Sequence, residues 1–107
     1  MFEFIKGNII QLTPAFVVVE TGNIGYFMHI SLNSYSKLKE GEQVKLYVHQ
    51  VIREDANELF GFVEEHERFV FRSLISVSGV GPNTARMILS SLTPAEISTA
   101  ITSGDVR

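Results

Sequence analysis

The sequence predicts a small β-barrel followed by an all-helical domain, a β + α fold in two parts. Three observations carry that reading. From residue 1 to 63, β-branched and aromatic residues alternate at period two between short turn signals. From 64 to 107, apolar residues recur at helical spacing. Within the second pattern, "SVSGVGPNTARMIL" (76–89) sets Gly79 and Gly81 on either side of one valine, ahead of a proline and an amphipathic run. The break near residue 63 is expected to separate domains at 1–63 and 64–107.

The strands follow in order. "FEFIKGNIIQLT" (2–13) is a long strand with Gly7 near its middle, where glycine often marks a bend or bulge. After a turn at "TPA" (13–15), "FVVVE" (16–20) returns, and "TGN" (21–23) turns again into "GYFMHIS" (25–31). There Tyr26, Met28 and Ile30 share one face, and Phe27 and His29 the other. "SLNSYSKL" (31–38) reads as a helical turn or an irregular connection. "VKLYVHQVI" (44–52) alternates with Val44, Leu46 and Val48 on one face, and "ELFGFV" (58–63) is the fifth strand. So few strands leave open edges unless the sheet closes, so a barrel is expected. An OB-fold fits this string, and an SH3-like barrel fits it nearly as well.

In the second half, "EEHERFVFRSLISV" (64–77) is a helix with Val70, Phe71, Leu74 and Ile75 in an apolar stripe. Phe69 widens the stripe, which predicts burial on more than one side, against the barrel or another subunit. Pro82 suits a first helical turn, where no amide hydrogen is needed. In "PNTARMILSSL" (82–92), Ala85, Ile88, Leu89 and Leu92 face the core, with Asn83, Arg86 and Ser90 on a more exposed face. "TPAEISTAITSG" (93–104) opens with a capping box, Thr93 at N-cap, Pro94 at N1 and Glu96 at N3, and Gly104 stands where the helix would stop.

Composition narrows the function. The net charge is −3, and both halves are mildly acidic, with five basic against seven acidic residues in 1–63 and four against five in 64–107. A generic basic nucleic-acid binder is excluded, so any DNA contact has to be local in its electrostatics. Without cysteine there is no disulfide framework and no Cys-based zinc site. No run approaches the ~20 apolar residues of a membrane span, and "MFEFIKGNII" does not read as a signal peptide, so a cytoplasmic protein is expected. His29, His49 and His66 are far apart, and the first two read as structural or surface residues. No Ser/His/Asp or Cys/His set and no Walker loop is visible. Tyr26, Phe27, Tyr47, Phe60 and Phe62 have the chemistry of base-stacking platforms, but alternating strand positions place them in the barrel core.

Two stretches carry the chemistry. "REDANE" (53–58), between the last two strands, holds Arg53, Glu54, Asp55 and Glu58. By itself it is a solvated acidic loop or a negative element with a mechanical role. Its spacing matches no calcium loop. The other stretch is the glycine pair. Glycine tolerates positive φ and has no Cβ, so amides at the start of the following helix can face outward, where the helix dipole adds partial positive charge. That is an anion site suited to phosphate, with Arg86 one turn further in. The competing reading is a corner that needs glycine for geometry alone. The full pattern of helix, Gly-Val-Gly and apolar run looks like a helix-hairpin-helix motif, which binds DNA backbones without regard to sequence. In that motif Val80 would pack inward.

Order and residues together point to one family. "FIKGNI", "GNIGYFMHIS", "VIREDANELFGF", "EHERFVFRSLISVSGVGPNTARMIL" and "TPAE" resemble, in order, segments of the RuvA family of Holliday-junction-binding subunits. The resemblance covers essentially the whole chain. It implies an OB-fold domain, then a helix-hairpin-helix domain. It further implies a homotetramer that holds a four-way junction open, with the RuvB motor ATPase and the RuvC nuclease as partners. No cofactor, metal or catalysis by the subunit itself is implied. The family's acidic pin falls on Glu54 and Asp55, whose four copies would meet at the crossover and repel phosphates; Arg53 beside them would attract one. The hairpin falls on Gly79, Val80 and Gly81, followed by Asn83, Thr84 and Arg86. Many relatives place a lysine where this chain has Asn83. The family's second hairpin and the C-terminal domain that engages RuvB have no counterpart before the final "GDVR", so this is expected to be about half of the usual protein.

Two other classes compete. A helix-hairpin-helix glycosylase or nuclease needs a catalytic Lys or Asp near the hairpin, where this chain has no Lys and only Asp105 nearby. A protein-interaction module with an architectural hairpin and no DNA binding of its own fits the residues better than an enzyme does.

Overall fold

The computed structural model describes residues 2–92 and 95–96. Strands β1 (Phe4–Leu12), β2 (Phe16–Thr21) and β3 (Ile24–His29) lead to a short helix α1 (Leu32–Tyr35). Strands β4 (Gln43–Arg53) and β5 (Ala56–Phe62) follow, then helices α2 (Glu65–Ile75) and α3 (Pro82–Ser91). Of the third expected helix, Ala95 and Glu96 are described and helical, while Thr93, Pro94 and Gly104 lie outside the described residues.

The strands close a barrel in the order β1-β2-β3-β5-β4. Neighbours are antiparallel except β3 and β5, which meet in parallel where His29 pairs with Phe60. A five-stranded barrel with this closure and a helix between its third and fourth strands is an OB-fold, which decides between the two barrels that the strand string allows.

Ile5, Ile9, Val17, Val19, Met28, Ile30, Leu46 and Val48 fill the barrel, and the faces read from the alternation supply Met28, Ile30, Leu46 and Val48 of these. The β1 bulge falls at Ile10 rather than at Gly7: Ile9 pairs with Val19 and Gln11 with Val18, leaving Ile10 unpaired and exposed. Gly7 serves a different need. A Cβ there would lie 2.3 Å from the Glu20 carbonyl oxygen, so only glycine lets the two backbones approach. Between β2 and β3, Gly22 and Asn23 both take positive φ (59° and 64°), the tight hairpin geometry that fits strand twist.

A second apolar layer lies outside the barrel. On β5, a Cβ on Gly61 would meet Met28 and Leu46 inside the barrel, while Phe60 and Phe62 point the other way. These two rings join Val70, Phe71, Ala85 and Leu89 of the helices in a buried cluster. Phe60 and Phe62 are therefore core, but of the joint between barrel and helices, not of the barrel interior. Phe71 sits at the centre, with ring centroids 5.2 Å from Phe60 and 5.0 Å from Phe62. Among the described residues, no helix is long and apolar enough to cross a membrane.

Candidate nucleic-acid interface

The hairpin between α2 and α3 is built from its own sequence. The Ser76 amide closes α2 on the carbonyls of Arg72 and Ser73, and the Val77 amide donates to Leu74. The Val80 amide donates to the Val77 carbonyl at 3.1 Å, which closes a four-residue turn. Gly79, third in that turn, has φ +87°, a conformation that side chains disfavour. Val80 packs against the barrel–helix cluster, as the motif requires. Gly81 then caps α3, Pro82 enters its first turn, and the Ala85 amide makes the first helical bond to the Gly81 carbonyl.

That leaves a row of open donors. Gly79, Gly81, Asn83 and Thr84 are exposed, and their amides donate no hydrogen bond among the described residues. No side chain caps the helix. Gly81 is the informative residue. Its φ is an ordinary −90°, and a Cβ there would meet nothing within 4 Å. Neither backbone strain nor packing calls for glycine at 81, and Ser or Asp would cap the helix better. Glycine here keeps the amides uncovered at the positive end of the helix dipole.

Arg86 does not join this site. It is half-buried, and its guanidinium Nη1 donates to the Ile30 carbonyl at 3.1 Å, while its Nε is buried without a partner. Ser90 likewise faces the barrel and accepts a hydrogen bond from the Leu32 amide. The face of α3 expected to be exposed at Arg86 and Ser90 is instead packed on the segment before and within α1. Asn83 keeps its exposed place.

The acidic stretch is tighter than a six-residue loop. Arg53 pairs with Ala56, so β4 and β5 run to the tip and only Glu54 and Asp55 form the turn. Both are exposed, and neither carboxylate has a hydrogen bond or ion pair among the described residues. Arg53 is drawn back along the hairpin to Glu58 at 3.3 Å, and Glu58 also meets His29 Nε2 at 3.3 Å. Two unneutralised negative charges thus stand at the end of a paired β-ribbon.

Residues 1–61 match the family described as RuvA N terminal domain. The chain belongs to the RuvA family. Residues 71–106 also match the SAM-like helix-hairpin-helix tandem family. The Holliday junction branch migration complex subunit RuvA of Azobacteroides pseudotrichonymphae is 53% identical over 106 residues, which is 99% of this chain and 54% of that protein. The protein of the same name from Parabacteroides distasonis is 58% identical over 97 residues, 91% of this chain and 50% of the other. That of Christiangramia forsetii is 49% identical over 106 residues, 99% and 55%. The chain spans about half the length of the curated relatives it matches.

In this RuvA-family chain, the other arginines of the helical layer also serve the fold. Arg68 is buried and donates to the carbonyls of Glu3 and Val48 and to the Glu3 carboxylate at 2.8 Å. That hydrogen bond, with the charge behind it, holds the Glu3 carboxyl below its usual range. Arg72 Nε donates to His49 Nδ1 at 3.0 Å. Burial, then the nearby charges of Arg72 and Arg68, hold the His49 imidazole below the ordinary histidine range. Sequence reasoning identified none of these pairs, because their partners lie 20 or more residues apart.

Phe27 departs from the expected barrel core. It is 48% exposed and stacks on Phe16 with ring centroids 4.6 Å apart. Tyr26 and Tyr47 are half-buried. Among the described residues, no group of three His, Asp or Glu is placed to hold a metal ion.

Proposed function

We propose that this chain is the DNA-holding part of a branch-migration subunit that binds four-way junctions without catalysing a reaction. The observation that carries the reading is Gly81, a glycine that the fold does not need, beside a row of exposed, unbonded amides. Phosphate oxygens are the natural acceptors for such a row, and contacts to them read no base sequence. This accounts for DNA binding by an acidic chain whose helical arginines face the barrel. The Glu54–Asp55 turn supplies the opposite element. In a homotetramer, four such turns would meet at the crossover, repel phosphates and favour strand separation, with Arg53 beside them. In the whole protein, the assembly would present the junction to the RuvB motor and share it with RuvC.

The experiment is a titration of isotope-labelled protein with linear duplex, followed by amide NMR. The amides of Gly79, Gly81, Asn83 and Thr84 should shift first and most. Shifts confined to other surfaces contradict the hairpin assignment. The inward turn of Arg86 favours a second reading, an interaction module without DNA binding of its own, and the absence of any shift supports it.

A further inference from the structure

Hydrogen bonds from both helices converge on one short segment of the barrel, residues 30–34. Arg86 of α3 donates to the Ile30 carbonyl, and Ser90 of α3 accepts from the Leu32 amide at 3.0 Å. Asn33 donates through Nδ2 to the carbonyls of Leu89 at 2.6 Å and Leu92 at 2.5 Å. From α2, the buried Glu67 carboxylate accepts from the hydroxyls of Ser31 and Ser34. The segment is itself anchored, since the Ile30 amide donates to the Ala15 carbonyl at 3.0 Å.

The apolar joint and these hydrogen bonds do different work. Apolar burial around Phe60, Phe62 and Phe71 is non-directional and tolerates rotation of one layer on the other. Hydrogen bonds weaken steeply when misaligned, so they select one orientation. Asn33 is 9% exposed, and its amide donates to the Leu89 carbonyl in the last turn of α3, which also accepts from the Leu92 amide, and to the Leu92 carbonyl just beyond the helix. It grips one end of α3, Arg86 ties the middle to the same segment, and the open amides sit at the other end. With ten residues and a rise of about 1.5 Å each, α3 is a lever roughly 15 Å long.

We infer that Asn33 is a positioning residue for the hairpin. By fixing the direction of α3, it sets how the Gly81–Thr84 amides face relative to the Glu54–Asp55 turn. It thereby controls preference for a four-way junction over linear duplex. A single duplex arm needs only the hairpin, whereas a junction must meet hairpin and acidic turn together. This inference rests on the DNA reading of the hairpin.

The test compares wild type with Asn33→Asp, which keeps the size, removes both donor hydrogens and turns a carboxylate on two carbonyls. Asn33→Ala removes the same two donors without adding a charge and serves if Asn33→Asp fails to fold. Residual dipolar couplings give the orientation of α3 on the barrel, and titrations give affinity for junction and for duplex. The expected result is a reoriented α3, retained duplex affinity and a junction preference reduced about tenfold, equivalent to ~1.4 kcal/mol. Unchanged couplings and preference in a folded variant overturn the inference, as does an equal loss of both affinities. Wild type that binds neither DNA overturns the hairpin reading, and the selectivity role with it. The couplings then still decide whether Asn33 orients α3.

Discussion

Arg72 donates its Nε–H to Nδ1 of His49 across 3.0 Å, so a strand imidazole serves helix α2 as an acceptor. Only neutral histidine has an acceptor nitrogen. Because burial and the flanking arginines depress the folded pKa, the unfolded chain takes up the proton first as pH falls. The contribution is complete above the ordinary histidine value of about 6.5 and is lost below it, toward the folded value. Thermal melts should therefore show falling stability from about pH 7.5 to pH 5, and His49→Gln, which keeps an acceptor but does not titrate, should flatten that slope. An identical slope in the variant contradicts the assignment. Glu3 and Glu64, held low by hydrogen bonds from Arg68 and Lys37, act in a lower window, their contributions lost only as carboxylates protonate.

The hairpin glycines should separate under substitution. Gly79→Ala forces a side chain to φ +87° and should cost about 1–2 kcal/mol of stability. Gly81→Asp meets no strain and gives α3 a better cap, so stability should hold or rise by a few tenths of a kcal/mol. Its carboxylate would occupy the open amides, so DNA affinity should fall about tenfold or more. Paired melts and titrations check this; a Gly81→Asp protein that binds DNA like wild type removes the hairpin from the interface.

Neutralising the turn should have the opposite sign. Glu54→Gln with Asp55→Asn removes two charges that have no partner among the described residues, so folding should change by less than about 0.5 kcal/mol. DNA binding should tighten or hold, while junction discrimination or migration suffers. A large loss of affinity would mean that these carboxylates are not repulsive.

Phe71→Ala removes the ring shared by Phe60, Phe62 and His49, and should cost about 3–5 kcal/mol. Denaturant melts read the loss. A cost below 1 kcal/mol would mean that the joint between barrel and helices is not held by this cluster.

Much of this was legible in local pattern. Alternation located the five strands and the inward Met28, Ile30, Leu46 and Val48, and the Gly-Val-Gly-Pro stretch located the hairpin and the inward Val80. What stayed hidden depends on partners distant in sequence. Phe60 and Phe62 share the alternation of barrel residues, and only the closed sheet shows that they face outward. Arg86 falls on the polar side of α3, and nothing local announces the Ile30 carbonyl waiting there. Asn33 falls in a stretch that reads as a helical turn or an irregular connection, and nothing local marks its two acceptors, 56 and 59 residues away. The acidic turn was legible as charge but not as a two-residue tip, since no glycine marks it.

The most direct test of the central claim is a competition titration at fixed, low salt, because phosphate binding depends steeply on ionic strength. The protein binds a labelled four-way junction while unlabelled linear duplex of the same sequence competes. The account predicts that the junction is retained against a clear excess of duplex. Equal competition by duplex, or no binding to either, contradicts it.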